Sequence, residues 1–278
     1  MRGTITAAAF ALSGIASSLA TVVLLILVDA LTGMDVFGLF VWFIVPFGAI
    51  ICGAFSASGY YLAAKRLHVP PGWVVLAEMV TIAAVTQLLI YYAKYRLALI
   101  DGVPASSLMT FAVFTDRLMT QSSYFFLARP MGELGYLVAA AQFVGMLIGG
   151  GWTFAVLNMQ ARCADCRTYL RKLAVKRDSF LDEEGFAAHY DHEFDHPLAS
   201  REFAGHVAKR HRPTTRLRSG AYKLTTIVFG CPECARQTIA QDVSYWGAKG
   251  FARDASLART IAVPLGMDMA PVYRGVIP

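Results

Sequence analysis

Residues 136–166 read YLVAAAQFVGMLIGGGWTFAVLNMQARCADC, and the character of the chain changes inside that one stretch. From Tyr136 to Leu157 there is no charged side chain. A helix needs about 20 apolar residues to cross roughly 30 Å of hydrocarbon, so this run is long enough to span a bilayer. Shortly after it come Arg162 and the pair Cys163-Ala-Asp-Cys166, groups suited to water or to a metal ion. The seam between membrane-like and water-like sequence therefore falls near residue 158.

On the N-terminal side of that seam three more segments qualify as spans: about 6–28, about 36–63 and about 73–92. Residues 1–158 carry only seven of the 25 Lys and Arg and six of the 19 Asp and Glu, which leaves eighteen and thirteen for the remaining 120 residues. The whole chain is 56% hydrophobic and 16% charged, against about 45–50% and about 25% in typical soluble domains. That argues against an ordinary water-soluble globule, and the apolar content excludes a disordered chain. The first segment also resembles a signal peptide, but signal cores run only about 7–15 residues, so a retained helix is expected.

The distribution of basic residues sets the expected orientation. Lys65, Arg66 and His68 crowd the connection between spans two and three, whereas the connection near Leu31–Asp35 has no basic residue. Both termini are thus expected in the cytoplasm, with a long outer loop at 93–134. That loop carries Met109, Phe111, Val113, Phe114, Phe125 and Phe126 and is expected to form a partly helical lid, or alternatively a partner-binding surface. Small residues recur at four-residue spacing, as in Ala9, Ser13 and Ser17 or Gly145 and Gly149. Such rows let helix backbones approach within one chain, or in a homo-oligomer. Glu78 is the only carboxylate within a span; it is expected to pair with Lys65 or Arg66, the sharper alternative being a proton or ion relay. Gln87 is expected to hydrogen-bond between helices, and Cys52 to pack as a small apolar group.

Beyond the seam, the other four cysteines form two pairs, Cys163-Ala-Asp-Cys166 and Cys231-Pro-Glu-Cys234, separated by 64 residues. Each CxxC turn brings two sulfurs to one side of a knuckle, and two knuckles complete a tetrahedral sulfur site for structural zinc. Residues 223–229 and 237–245 read as strands flanking the second pair, a hairpin with its sulfurs at the tip. An iron–sulfur centre is a weaker candidate for the same ligands. The rival chemistry is thiol–disulfide exchange: a strand followed by Cys231-Pro-Glu-Cys234 superficially resembles a glutaredoxin-type active site, in which a low-pKa thiolate attacks disulfides.

Between the pairs lies an expected helical insertion at about 176–211. His189, His192 and His196 would share one side of a helix, at i, i+3 and i+7, and could form a second metal site with nearby carboxylates; a solvated polar face is the simpler expectation. Lys209, Arg210, Arg212, Arg216 and Arg218 then make a basic run suited to anionic lipid headgroups or simply to solvent, and less readily to nucleic acid.

The expected fold class is an α-helical integral membrane protein with four transmembrane helices in residues 1–158. It would bear a small C-terminal α+β zinc-ribbon-like cytoplasmic domain at 159–246, followed by a tail at 247–278 without convincing periodicity. The leading expected function is a non-enzymatic scaffold or recruitment module at the cytoplasmic face, acting on an unidentified protein partner. The alternatives are a membrane-tethered oxidoreductase using Cys231 and Cys234, and a small-solute or ion carrier using Glu78.

Overall fold

A computed structural model describes residues 2–42, 45–121, 131–198, 200–209, 211, 219–247 and 250–275. The chain divides into two compact units, Met1–Gln160 and Ala161–Pro278.

The first unit contains four helices long and apolar enough to cross a membrane. They are α1 (Arg2–Thr32), α2 (Phe47–Leu67), α3 (Trp73–Leu97) and α6 (Leu134–Asn158). The second span begins eleven residues later than the expected residue 36. Pro46 explains the shift: its ring disfavours helix in the residue before it and suits only a helix start. Ahead of it Val41 and Val45 instead pair in an isolated antiparallel bridge. Phe37, only 2% exposed, is built into the bundle core with Val22, Ala49 and Tyr91. At the other end of α2, His68 takes a left-handed conformation and Pro70 and Pro71 follow, so the helix stops.

The helix α3 runs five residues past its expected end and carries Lys94 and Arg96 in its last turn, where cations suit the helix dipole. Lys94 also pairs with Asp35 at 2.7 Å. The connection after α3 holds a two-residue hairpin, β1 (Leu99–Ile100) and β2 (Val103–Pro104), turned through Asp101 and Gly102, both at positive φ. It continues into α4 (Ala105–Leu108) and α5 (Phe111–Gln121). Phe114 of α5 lies 5.4 Å from the Tyr95 ring of α3, and the Tyr95 hydroxyl donates to the Met109 carbonyl at 2.8 Å. The expected helical segment of this loop is thus packed on the bundle; Phe125 and Phe126 fall outside the described residues.

Small residues set the helix spacing. A methyl group at Gly53 of α2 would run into the Met146 backbone of α6, and one at Gly149 of α6 into the Ile50 carbonyl of α2. Ser13 and Ser17 of α1 donate to the Gly59 and Ser56 carbonyls of α2 at 2.8 and 2.6 Å. Where lipid gives helices no hydrophobic reason to associate, such close backbone contact and side-chain hydrogen bonding hold them together.

The second unit is a four-stranded antiparallel sheet with helices on one face. Its strands are β3 (Arg171–Phe180), β4 (Tyr222–Gly230), β5 (Gln237–Gly247) and β6 (Gly250–Ala262), side by side in that order. The helices α7 (Glu183–Tyr190) and α8 (Arg201–Ala208) lie between β3 and β4 in sequence, and α9 (Ala270–Arg274) follows β6. Asp182 caps α7 by accepting from the Gly185 amide at 2.8 Å, and Ser200 caps α8 by accepting from the Phe203 amide at 3.0 Å. Phe203, Ala204 and Val207 of α8 and Val272 and Tyr273 of α9 pack on Ala174, Val228 and Ile239 of the sheet. Phe186 and Tyr190 of α7 pack on Phe180, Leu224 and Val243.

Two expectations are corrected by this unit. The insertion is not helical from residue 176, because β3 continues to Phe180 and only α7 and α8 are helical within it. The segment after residue 246 is not an aperiodic tail: it supplies the thirteen-residue strand β6 and the helix α9.

Candidate metal centre

The register of the sheet brings the two cysteine pairs together. Arg171, at the start of β3, lies opposite Gly230, at the end of β4. Cys166 precedes the one strand and Cys231 follows the other, so both pairs emerge at the same end of the sheet.

The two turns are built alike. In the first, the Cys163 amide donates to the Thr168 carbonyl at 2.9 Å and the Arg167 amide donates to the Cys163 carbonyl at 3.0 Å. In the second, the Cys231 amide donates to the Arg236 carbonyl at 2.8 Å and the Ala235 amide to the Cys231 carbonyl at 3.1 Å. Counted from the leading cysteine, the donor and acceptor positions are identical. The residue after each second cysteine is left-handed, Arg167 at φ 58° and Ala235 at φ 56°. A bridge between Arg162 and Tyr169 closes the base of the first turn. Across the two turns, Asp165 and Arg236 form an ion pair at 2.5 Å.

The four sulfurs lie within 4.8 Å of one another, and those of Cys163 and Cys234 are 3.7 Å apart. A disulfide would place sulfurs about 2.05 Å apart. Four sulfurs set tetrahedrally at about 2.3 Å from an ion stand roughly 3.8 Å from each other. The four cysteines can therefore hold a metal ion.

The electrostatics agree. Hydrogen bonding to Cys234 pushes the Cys166 thiol up to about 12. Burial opposes ionisation of Cys231, but the Thr168 hydroxyl and the amides of Cys234 and Glu233 outweigh it and bring that thiol down to about 6. The Thr168 oxygen stands 3.1 Å from the Cys231 sulfur. Sulfurs this close resist ionising together until a bound cation supplies the opposing charge.

Compared with protein-family models, curated protein sequences and solved structures, the chain matches none of them.

The histidines expected to share a helix face do not. The helix α7 ends at Tyr190, so only His189 belongs to it. His192 is exposed and pairs with Asp195 at 2.6 Å, which raises its pKa; His196 is exposed in the following bend. His189 instead turns inward, 4% exposed, and stacks on His206 of α8 with ring centres 4.5 Å apart and planes 5° from parallel. His211 lies 4.5 Å from the same ring. Among the described residues no ligand cluster other than the four cysteines has the spacing for a metal ion. Glu193 is spent elsewhere: it is buried and accepts from the Tyr273 hydroxyl at 2.8 Å and the Gln241 amide at 2.7 Å, with Arg259 at 3.7 Å.

Of the basic run, Lys209 is exposed just beyond α8, while Arg210, Arg212, Arg216 and Arg218 lie outside the described residues. Glu78 forms no ion pair with Lys65 or Arg66 among the described residues, and its Oε2 is buried without a hydrogen-bond partner. Gln87 donates to the Tyr91 hydroxyl at 3.1 Å and to the Ala139 carbonyl of α6 at 3.4 Å, and Tyr91 donates on to Gln142 at 3.1 Å. Cys52 is 2% exposed in the bundle core.

Sequence reasoning missed His206, His211, Thr168 and the Asp165–Arg236 pair. The last two stand within or beside the CxxC turns, so proximity to the cysteines was a usable signal for them.

Proposed function

We propose that the four cysteines hold one structural zinc ion in a zinc-ribbon-like centre. The protein would then serve as a non-enzymatic, membrane-anchored module, with its folded C-terminal unit displayed at the cytoplasmic face to recruit a partner. The observation that carries this reading is the identity of the two turns, with the same backbone hydrogen bonds repeated around four converging sulfurs. Soft thiolate ligands favour zinc, copper(I) and iron–sulfur clusters, and a closed four-sulfur shell is characteristic of structural zinc. Two ligand pairs that are far apart in sequence suit an ion that fastens a fold. The cytoplasmic placement rests on Lys65, Arg66 and the basic residues after the last span.

Elemental analysis of the purified full chain tests the reading, with about one zinc per chain expected. Cys163→Ser should release the ion and expose residues 161–278 to protease while the spanning helices persist. A colourless, metal-free protein whose Cys231 or Cys234 alkylates rapidly at neutral pH would replace this reading with thiol–disulfide exchange. A coloured preparation containing iron would replace zinc with an iron–sulfur centre.

A further inference from the structure

The second unit is electrically two-sided. Its helical layer presents Asp182, Glu183, Glu184, Asp191, Asp195 and Glu202 to solvent, against the exposed cations Arg201, Lys209 and Arg274 among the described residues, the last of which donates to the Leu173 carbonyl.

The opposite face of the sheet is basic. Along β4 the inward residues are Leu224, Thr226 and Val228, each no more than 1% exposed, so Lys223, Thr225, Ile227 and Phe229 point the other way. Register then fixes which residues share that outer face. Lys172 lies opposite Phe229, Val175 opposite Ile227 and Arg177 opposite Thr225. On the other side, Ser244 lies between Lys223 and Arg253. Lys172, Arg177, Lys223 and Arg253 are all exposed. Asp242, opposite Thr225, is the acid on this face among the described residues, and it is engaged by Arg253 at 2.9 Å. Val175 is 44% exposed between the cations, and the Lys223 ammonium sits 3.7 Å from the centre of the Phe251 ring. The helices that pack on the sheet meet its inward residues.

We propose that this outer face is a docking surface for an anionic phospholipid bilayer, with Lys172, Arg177, Lys223 and Arg253 meeting the headgroup phosphates. Charge complementarity carries the proposal: cations around apolar side chains on one face, and an excess of acids on the other, give the unit a favoured orientation toward a negative plane. Each Lys or Arg near such a surface gains about 1 kcal/mol. The covalent link to four bilayer-length helices keeps headgroups at a high effective concentration, so weak contacts suffice. The zinc proposal is independent of this one.

The test uses the full chain in nanodiscs, which present both bilayer faces, so sidedness does not enter. Acylation rates of individual lysines are measured by mass spectrometry in discs of phosphatidylcholine alone and in discs containing phosphatidylserine. Phosphatidylserine should slow Lys172 and Lys223 by about fivefold, the equivalent of about 1 kcal/mol, and added salt should reverse the effect. Lys176, its side chain 10% exposed and paired with the buried Asp178, should stay slow in both. Arg177→Glu, a change at an exposed position, should restore fast labelling of Lys172 while Lys176 remains slow, which shows that the sheet is intact. Equal rates in the two kinds of disc overturn the proposal. Protection by a single-stranded oligonucleotide without any effect of phosphatidylserine also overturns it, and assigns the face to nucleic acid.

Discussion

Arg167 and Ala235 occupy the same place in two turns that lie far apart in sequence. Each follows the second cysteine of its pair, each is left-handed, and each amide donates to the carbonyl of its leading cysteine. For a residue with a Cβ, the left-handed region costs roughly 1–2 kcal/mol, and glycine avoids that cost. Glycine also loses more chain entropy on folding, by roughly 0.5–1 kcal/mol. Arg167→Gly and Ala235→Gly should each therefore be neutral to stabilising by about 1 kcal/mol. The measurable outcome is slower loss of metal to a chelator. Faster loss in both variants would mean that the left-handed geometry is not what the turns require.

The stacked histidines make a prediction about acid. Burial, then the charges of Lys176 and the neighbouring histidines, pull His189 down to about 3. Burial lowers His211 as well, against the pull of Asp178. An unfolded histidine titrates near about 6.5. Because the folded value lies lower, the stabilisation is complete above about pH 6.5 and is lost as the pH falls toward about 3, at up to about 1.4 kcal/mol per pH unit for each proton. Acid also strips metal from thiolates. The diagnostic comparison is thus between the parent chain and His189→Asn, both metal-loaded, in unfolding experiments between pH 6.5 and 5. The variant should show the shallower dependence. Equal slopes would exclude His189 as the source.

Glu193 ties the insertion to the sheet and to α9. It is 2% exposed and shares its two oxygens between Tyr273 and Gln241. Glu193→Ala leaves the Tyr273 hydroxyl, the Gln241 amide and the Arg259 guanidinium without their common acceptor. Removing one partner of a buried charged network costs about 3–5 kcal/mol. Limited proteolysis should cut the 161–278 region readily in this variant. Glu193→Gln, which keeps the Tyr273 contact, should be intermediate, and resistance equal to the parent in both would refute the assignment.

Within the bundle, Gly149→Leu should prevent α6 from seating on α2, because the Ile50 carbonyl occupies the space that a side chain needs. Gly151, two residues along, would have nothing within 4 Å of an added methyl group, so Gly151→Ala should be neutral. Yield of monodisperse protein in detergent distinguishes them. Similar behaviour of the two variants would contradict this packing of α6 on α2.

Much of this architecture was legible because its signals are local. Four long apolar runs need only be counted, and each CxxC pair announces a turn. The strand β3 was hidden because its inward row is Ala174, Lys176, Asp178 and Phe180: the Lys176–Asp178 ion pair at 2.7 Å puts polar residues where alternation predicts apolar ones. The strand β6 was hidden by the irregularity opposite Gln241 and Val243. There Arg259 and Asp254 take successive partners and the residues between them break the two-residue period. Pro46 was a visible stop signal that apolar composition outweighed. The histidine cluster was unreadable from spacing, since His189, His206 and His211 come from two helices and a loop, and meet only after the insertion folds onto β3.

A metal ion held by Cys163, Cys166, Cys231 and Cys234 would also make the intervening segment a closed ring, fastened at its neck. In the chain-entropy view, a cross-link around some 64 residues removes about 4 kcal/mol of freedom from the unfolded chain. Doubling such a ring adds only about 0.6 kcal/mol to its closure cost. The neck can therefore tolerate growth or replacement of the ring's outer parts, provided that His189 and Glu193 keep their partners, and new surface can accumulate there without loosening the clasp.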